Sequence, residues 1–116
     1  MLTLSTIAPP VHPVLQAMAD VEAALEQAAG LPTFAMSASE TLQLLEAADR
    51  LVRRASAVRL DAVRLVDARG AAADVGATDT RAWLRASLQE RPSVAHRTVL
   101  LARALDGRYA ATRGAL

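Results

Sequence analysis

"SASETLQLLEAADRLVRRASAVRLDAVRLVDARG", residues 37–70, decides the fold. Ser37 and Glu40 form an S-x-x-E capping box, the signature of a helix start. Leu44, Ala48, Leu51, Ala55, Val58, Ala62 and Leu65 then recur at alternating spacings of four and three, up to Gly70. That period belongs to one face of a helix. It predicts a single helix of about thirty residues, roughly 45–50 Å long at the usual rise per residue. Such a helix exceeds what a small globule needs and points to a bundle backbone or a dimer seam. Leu45, Val52, Val63 and Val66 widen the apolar arc. Arg59 falls inside that arc and is expected to snorkel or to pair with an acid of the preceding helix.

On the N-terminal side, residues 1–12 are expected to form a loose arm, with a helical domain spanning 13–116. A first helix starts at Pro13, a residue suited to the first helical position. Val14, Met18, Val21, Leu25 and Ala28 follow at helical spacing, and Gly30 closes it. This helix is expected to lie antiparallel to the long one and to cover about half of its seam. Beyond Gly70, "GAAADVGAT" is expected to be a flexible connection. A third helix follows Thr78 and Asp79, both good caps, with Trp83 as its anchor. Pro92 breaks the chain and Ser93 is expected to cap a fourth helix. That helix should run to about Asp106 and end at Gly107, with a fifth opening after it.

The composition agrees. Twenty-seven of 116 residues are Ala, the best helix former, and Ile, Trp, Tyr and Phe occur once each. The fold class is therefore all-α: a helical bundle with one long central helix and a helix-turn-helix-like pair. There is no Cys, hence no disulfide framework or thiolate chemistry. No run approaches the ~18 apolar residues of a membrane span, and the first residues lack a signal peptide's pattern. A cytoplasmic protein is expected. Residues 1–49 carry six acids and no Arg, whereas residues 50–116 carry 13 Arg and six acids. The basic half could face the acidic half or a polyanion.

Three stretches carry a resemblance: "LLEAADRLVRRASAVRLDAVRLVDARG", "GATDTRAWLRASL" and "RPSVAHRTVLLARAL". Over about residues 40–116 they resemble the N-terminal part of the domain of unknown function 222 family of high-GC bacteria. Ala82-Trp83-Leu84 and Leu101-Ala102-Arg103-Ala104-Leu105 sit where that family has them. The resemblance implies a helical region placed before an HNH endonuclease domain, in chains several times longer. It thus implies that this chain is a non-catalytic module, cut short at its C-terminal end, that aids DNA engagement or assembly.

The HNH residues themselves are missing. Such a site needs two His and an Asn or equivalent on a strand pair and helix. Here His12 and His96 stand in unrelated contexts and Asn is absent. No catalytic residue, metal ligand or cofactor is expected, and the chain reads as no enzyme. Ser93 suits a cap better than a nucleophile.

The pair of helices around Pro92 raises the question of DNA. If the fourth helix entered a groove, His96, Arg97 and Arg103 would approach the bases, with Arg81 and Arg85 on phosphates. Against this, Val99 and Leu100 lie off the face made by Val94, Thr98, Leu101 and Leu105, so the helix should be buried nearly all round. Two core helices are the favoured reading. Nonspecific DNA contact is expected at most, with a free-standing helix-turn-helix regulator as one alternative. The other is a helical module that forms a homodimer through the long helix, where the missing C-terminal region would otherwise cover the seam.

Overall fold

The structure, a computed structural model, describes residues 11–115, with side chains described as far as Gly107. Five helices and no strand occur among the described residues: α1 (Pro13–Ala29), α2 (Ala38–Arg69), α3 (Ala71–Asp74), α4 (Thr80–Ser87) and α5 (Pro92–Ala115). The fold is all-α. The chain divides into two compact units, residues 1–41 and 42–116. The arm assigned to residues 1–12 falls, apart from Val11 and His12, outside the described residues.

In the first unit, α1 begins where Pro13 predicts. His12 caps it, its Nδ1 accepting from the Val14 amide at 3.1 Å. Gly30 closes it, its amide donating back to the Gln27 carbonyl. No residue of α1 is buried, and Val14, Met18, Val21 and Leu25 all remain exposed. The capping box before α2 forms as predicted. The Ser37 amide donates to Glu40 Oε1 at 3.0 Å, and the Glu40 amide donates to Ser37 Oγ at 3.1 Å. The Ser37 amide and hydroxyl hold the Glu40 carboxyl below its usual range.

In the second unit, the C-terminal end of α2 meets the shorter helices. α2 stops at Arg69 because Gly70 adopts φ +64°, a left-handed conformation that suits a residue without Cβ. The "flexible connection" instead holds the single turn α3. That turn ends in paired backbone bonds: Gly76 N–H to the Ala73 carbonyl and Ala77 N–H to the Ala72 carbonyl. Gly76, at φ +90°, makes this closure possible. Asp79 then caps α4, accepting from the Ala82 amide at 2.8 Å. Gln89, at φ +55°, turns the chain toward α5.

Pro92, not Ser93, opens α5, and the Ala95 amide donates to the Arg91 carbonyl. α5 also continues through Gly107 to Ala115, so the expected fourth and fifth helices are one. A lone Gly inside a helix costs only about 1 kcal/mol, which its neighbours here can offset.

The core of this unit is small. Val63 of α2, Leu84 of α4, and Ala95, Val99 and Ala102 of α5 are buried together, with Leu60 and Trp83 packed against them. The expectation of an α5 buried nearly all round is corrected. Its buried stripe is Ala95, Val99 and Ala102, and Leu100 and Leu101 on the other side are exposed. Two Ala at that stripe let α4 approach closely, so the core stays thin and leaves Leu100 and Leu101 outside it. Trp83 is half-buried, an anchor at the core's edge. Trp83→Ala is expected to cost about 2 kcal/mol, less than the 3–5 of a fully enclosed indole. Urea unfolding followed by circular dichroism reads this. An unchanged midpoint would show that the indole supports nothing.

Candidate interaction surface

Three features of the second unit could meet a partner: the charged cluster over the core, the grooves beside Trp83 and the stripe along α2.

The charged cluster centres on Asp67, near the end of α2. Arg103 of α5 grips its carboxylate with two bonds, Nε to Oδ2 at 2.8 Å and Nη2 to Oδ1 at 3.2 Å. Thr80, buried at the start of α4, donates its hydroxyl to Oδ1 at 2.8 Å. Arg103 above all, and then Thr80, hold the Asp67 carboxyl below its usual range, against the opposing effect of burial. Two further ion pairs tie α2 to the same layer. Arg64 bonds Asp61 and, at 3.1 Å, Asp106 of α5. Arg59 bonds Glu90 at 3.0 Å. The expected partner of Arg59 was an acid of the preceding helix; the acid it meets instead stands in the turn before α5.

The residues proposed for nucleic acid divide accordingly. Arg103 is neutralised by Asp67 and braces α5 against α2. Arg81 is half-buried, its Nε enclosed without a hydrogen-bond partner, and it reaches Asp67 through space. Arg85, His96 and Arg97 are exposed. Asp67, Thr80, Arg64 and Glu90 were missed as a cluster. Their spacing across three segments carries no periodic signal.

Trp83 separates two shallow apolar grooves. One, of about 200 Å³, lies among Arg59, Ala62, Val66 and Leu88. The other, of about 150 Å³, lies among Val66, Ala71 and Val75. Neither holds a cluster of titratable groups. Among the described residues no three His, Cys, Asp or Glu stand together as metal ligands, and no helix is long and apolar enough to cross a membrane.

The third feature is the stripe on α2. Before Leu60 no residue of α2 is buried, and Ala47 alone is half-buried. Leu44, Leu51 and Val58 recur every seven residues and are 50%, 47% and 44% exposed. Leu45 and Val52 beside them are more exposed still. Charged residues occupy other faces: Arg53 pairs with Asp49 one turn away. Comparison with protein-family models, curated proteins and solved structures finds no match for this chain.

Proposed function

We propose that this chain is a non-catalytic helical assembly module that pairs with a second copy through the long helix α2. The observation that supports this is the heptad stripe of Leu44, Leu51 and Val58, exposed over four turns of a helix whose core contacts begin only at Leu60. Exposed apolar surface of this regularity is what coiled-coil pairing consumes. A symmetric pair also closes on itself, so assembly stops at two. In a longer protein of the HNH-linked kind that the sequence resembles, such a module would set the spacing of two nuclease domains.

Light scattering across a hundredfold dilution tests this. A dimer mass at high concentration is expected, and Leu51→Glu should return the chain to monomer without loss of helicity. A monomer mass at every concentration would sink the reading, as would a dimer indifferent to Leu51→Glu. Contact with DNA phosphates is the second reading, favoured by the exposure of Arg85, His96 and Arg97. Arbitrary duplex added to the same samples separates the two. Binding that weakens steeply with salt supports phosphate contact, and its absence at low salt removes it.

A further inference from the structure

We infer that α4 and α5 form a helix-turn-helix that seats the outer face of α5 in the major groove of duplex DNA. Ser93, His96, Arg97 and Leu100 then meet the base edges, and Arg85 and Arg91 meet the flanking phosphates. The inference rests on the phosphate-contact reading above and assigns it a groove and a role for each side chain.

α5 is enclosed on one side only, which leaves its other side open to a groove. Ala95, Val99 and Ala102 face the core. At the helical repeat, Ser93, Arg97, Leu100 and Ala104 fall opposite that stripe, with His96 at the edge of the same arc. All five are exposed. The helix before it is short and the join is tight. α4 runs from Thr80 to Ser87 and α5 opens at Pro92, so only residues 88–91 connect them. Gln89 of this turn adopts φ +55°. Leu84 of α4 is buried together with Ala95 and Val99 of α5. A short helix, a turn of three or four residues and a second helix packed on the first is the build of a helix-turn-helix. In that motif the second helix lies in the major groove with its first residues on the bases, while the first helix crosses the backbone.

The charge on this pair fits a polyanion. Residues 80–105 hold five Arg and a single acid, Glu90. Arg59 neutralises Glu90, and Asp67 neutralises Arg103. Arg85, Arg91 and Arg97 are exposed and have no ion-pair partner among the described residues. Arg85 stands in the last turn of α4 and Arg91 directly precedes α5, the two places from which this motif reaches the backbone. A duplex fits better than a single strand. Single strands are held by stacking on exposed aromatic rings, whereas Trp83, the one aromatic side chain described in this unit, is half-buried against the core. A helix about 10–12 Å across enters the major groove of B-DNA, about 12 Å wide, but not the deep, narrow one of duplex RNA. Arg97 presents the fork that pairs with O6 and N7 of guanine, and Leu100 an apolar end for a thymine methyl.

Fluorescence anisotropy tests this with the intact chain at low salt and three labelled probes of one mixed sequence: a short DNA duplex, the matching RNA duplex and the single DNA strand. The DNA duplex is expected to bind about tenfold more tightly than either of the others. Selection from a pool of random-sequence DNA duplexes should then enrich a common site. Arg91→Ala should weaken binding to every sequence about tenfold and lower the salt slope by about one. Arg97→Ala should weaken the selected site about tenfold and leave unselected duplexes nearly unaffected. Arg50→Ala, at an exposed position on α2, should change neither. All three side chains are exposed, so circular dichroism should show an unaltered fold. Equal binding of RNA and DNA duplexes, a pool that enriches nothing, or an Arg97→Ala loss shared by every sequence would each overturn the groove assignment and leave phosphate contact standing. Equal losses for all three variants would overturn it too. No binding of any probe at low salt would remove phosphate contact itself, and this assignment with it.

Discussion

Leu84→Ala removes about 3 kcal/mol from the second unit, enough to leave it marginally folded. Leu84 is 1% exposed and is, with Val99, the largest fully buried side chain. It stands where α4 meets both α2 and α5, against Val63, Ala95, Val99 and Ala102. Truncation forfeits the burial of three carbons and leaves a cavity, together worth about 2–5 kcal/mol for a core Leu. Collapse cannot refill that cavity well, because two of the four buried neighbours are Ala and have nothing to extend into it. A small domain holds only about 5–15 kcal/mol in all, and this core has few other large side chains to share the load. Urea unfolding by circular dichroism measures the loss, with Leu88→Ala as control. Leu88 is half exposed and its truncation should cost less than about 1 kcal/mol. Equal midpoints for the two variants would show that Leu84 is not the keystone of this unit.

Period and cap chemistry made most of the elements readable. The Ser37 and Glu40 box, Asp79 and Gly70 act on residues within four positions, and Pro13 acts through its own fixed φ, so local sequence is enough to place them. The long helix was legible for the same reason: its repeat is internal. The side that α5 buries was not. Val94, Ala95, Thr98, Val99, Leu101 and Leu105 give apolar options in several directions, and the packing against α4 and α2 selects Ala95, Val99 and Ala102. Small residues win there because helices approach most closely over them, a property of the pair rather than of α5. The continuation of α5 through Gly107 has the same character, since one Gly is a weak stop signal. Among the candidate site residues, sequence spacing put Arg103 on an open face. It could not foresee Asp67 thirty-six positions earlier, and that carboxylate turns Arg103 from a free cation into a brace.

Asp67 is therefore the polar counterpart of Leu84, and its removal has a signature in pH. Asp67→Ala leaves the Thr80 hydroxyl without its acceptor at a residue only 4% exposed. An orphaned buried hydroxyl and a lost charged hydrogen bond cost about 2 kcal/mol together. Arg103 is half exposed and recovers water, so its release adds little. Asp67→Asn keeps an oxygen for Thr80 and loses only the charge, and about half of the cost should return. The carboxyl is held below its ordinary value of 3.8, first by Arg103 and then by Thr80. A group whose folded value is lowered stabilises the fold fully above its unfolded value and loses that contribution as pH falls. The stabilisation from Asp67 is thus complete at neutral pH and decays below about pH 4. Wild type should lose stability steeply on acidification, and Asp67→Asn, having no proton to bind there, should lose it more gradually. Glu40 is lowered as well, but its capping box is intact in both proteins and cancels in the comparison. Urea midpoints at pH 7, 5 and 3 give the two slopes. Parallel slopes for wild type and Asp67→Asn would mean that the Asp67 and Arg103 pair does not couple folding to protons.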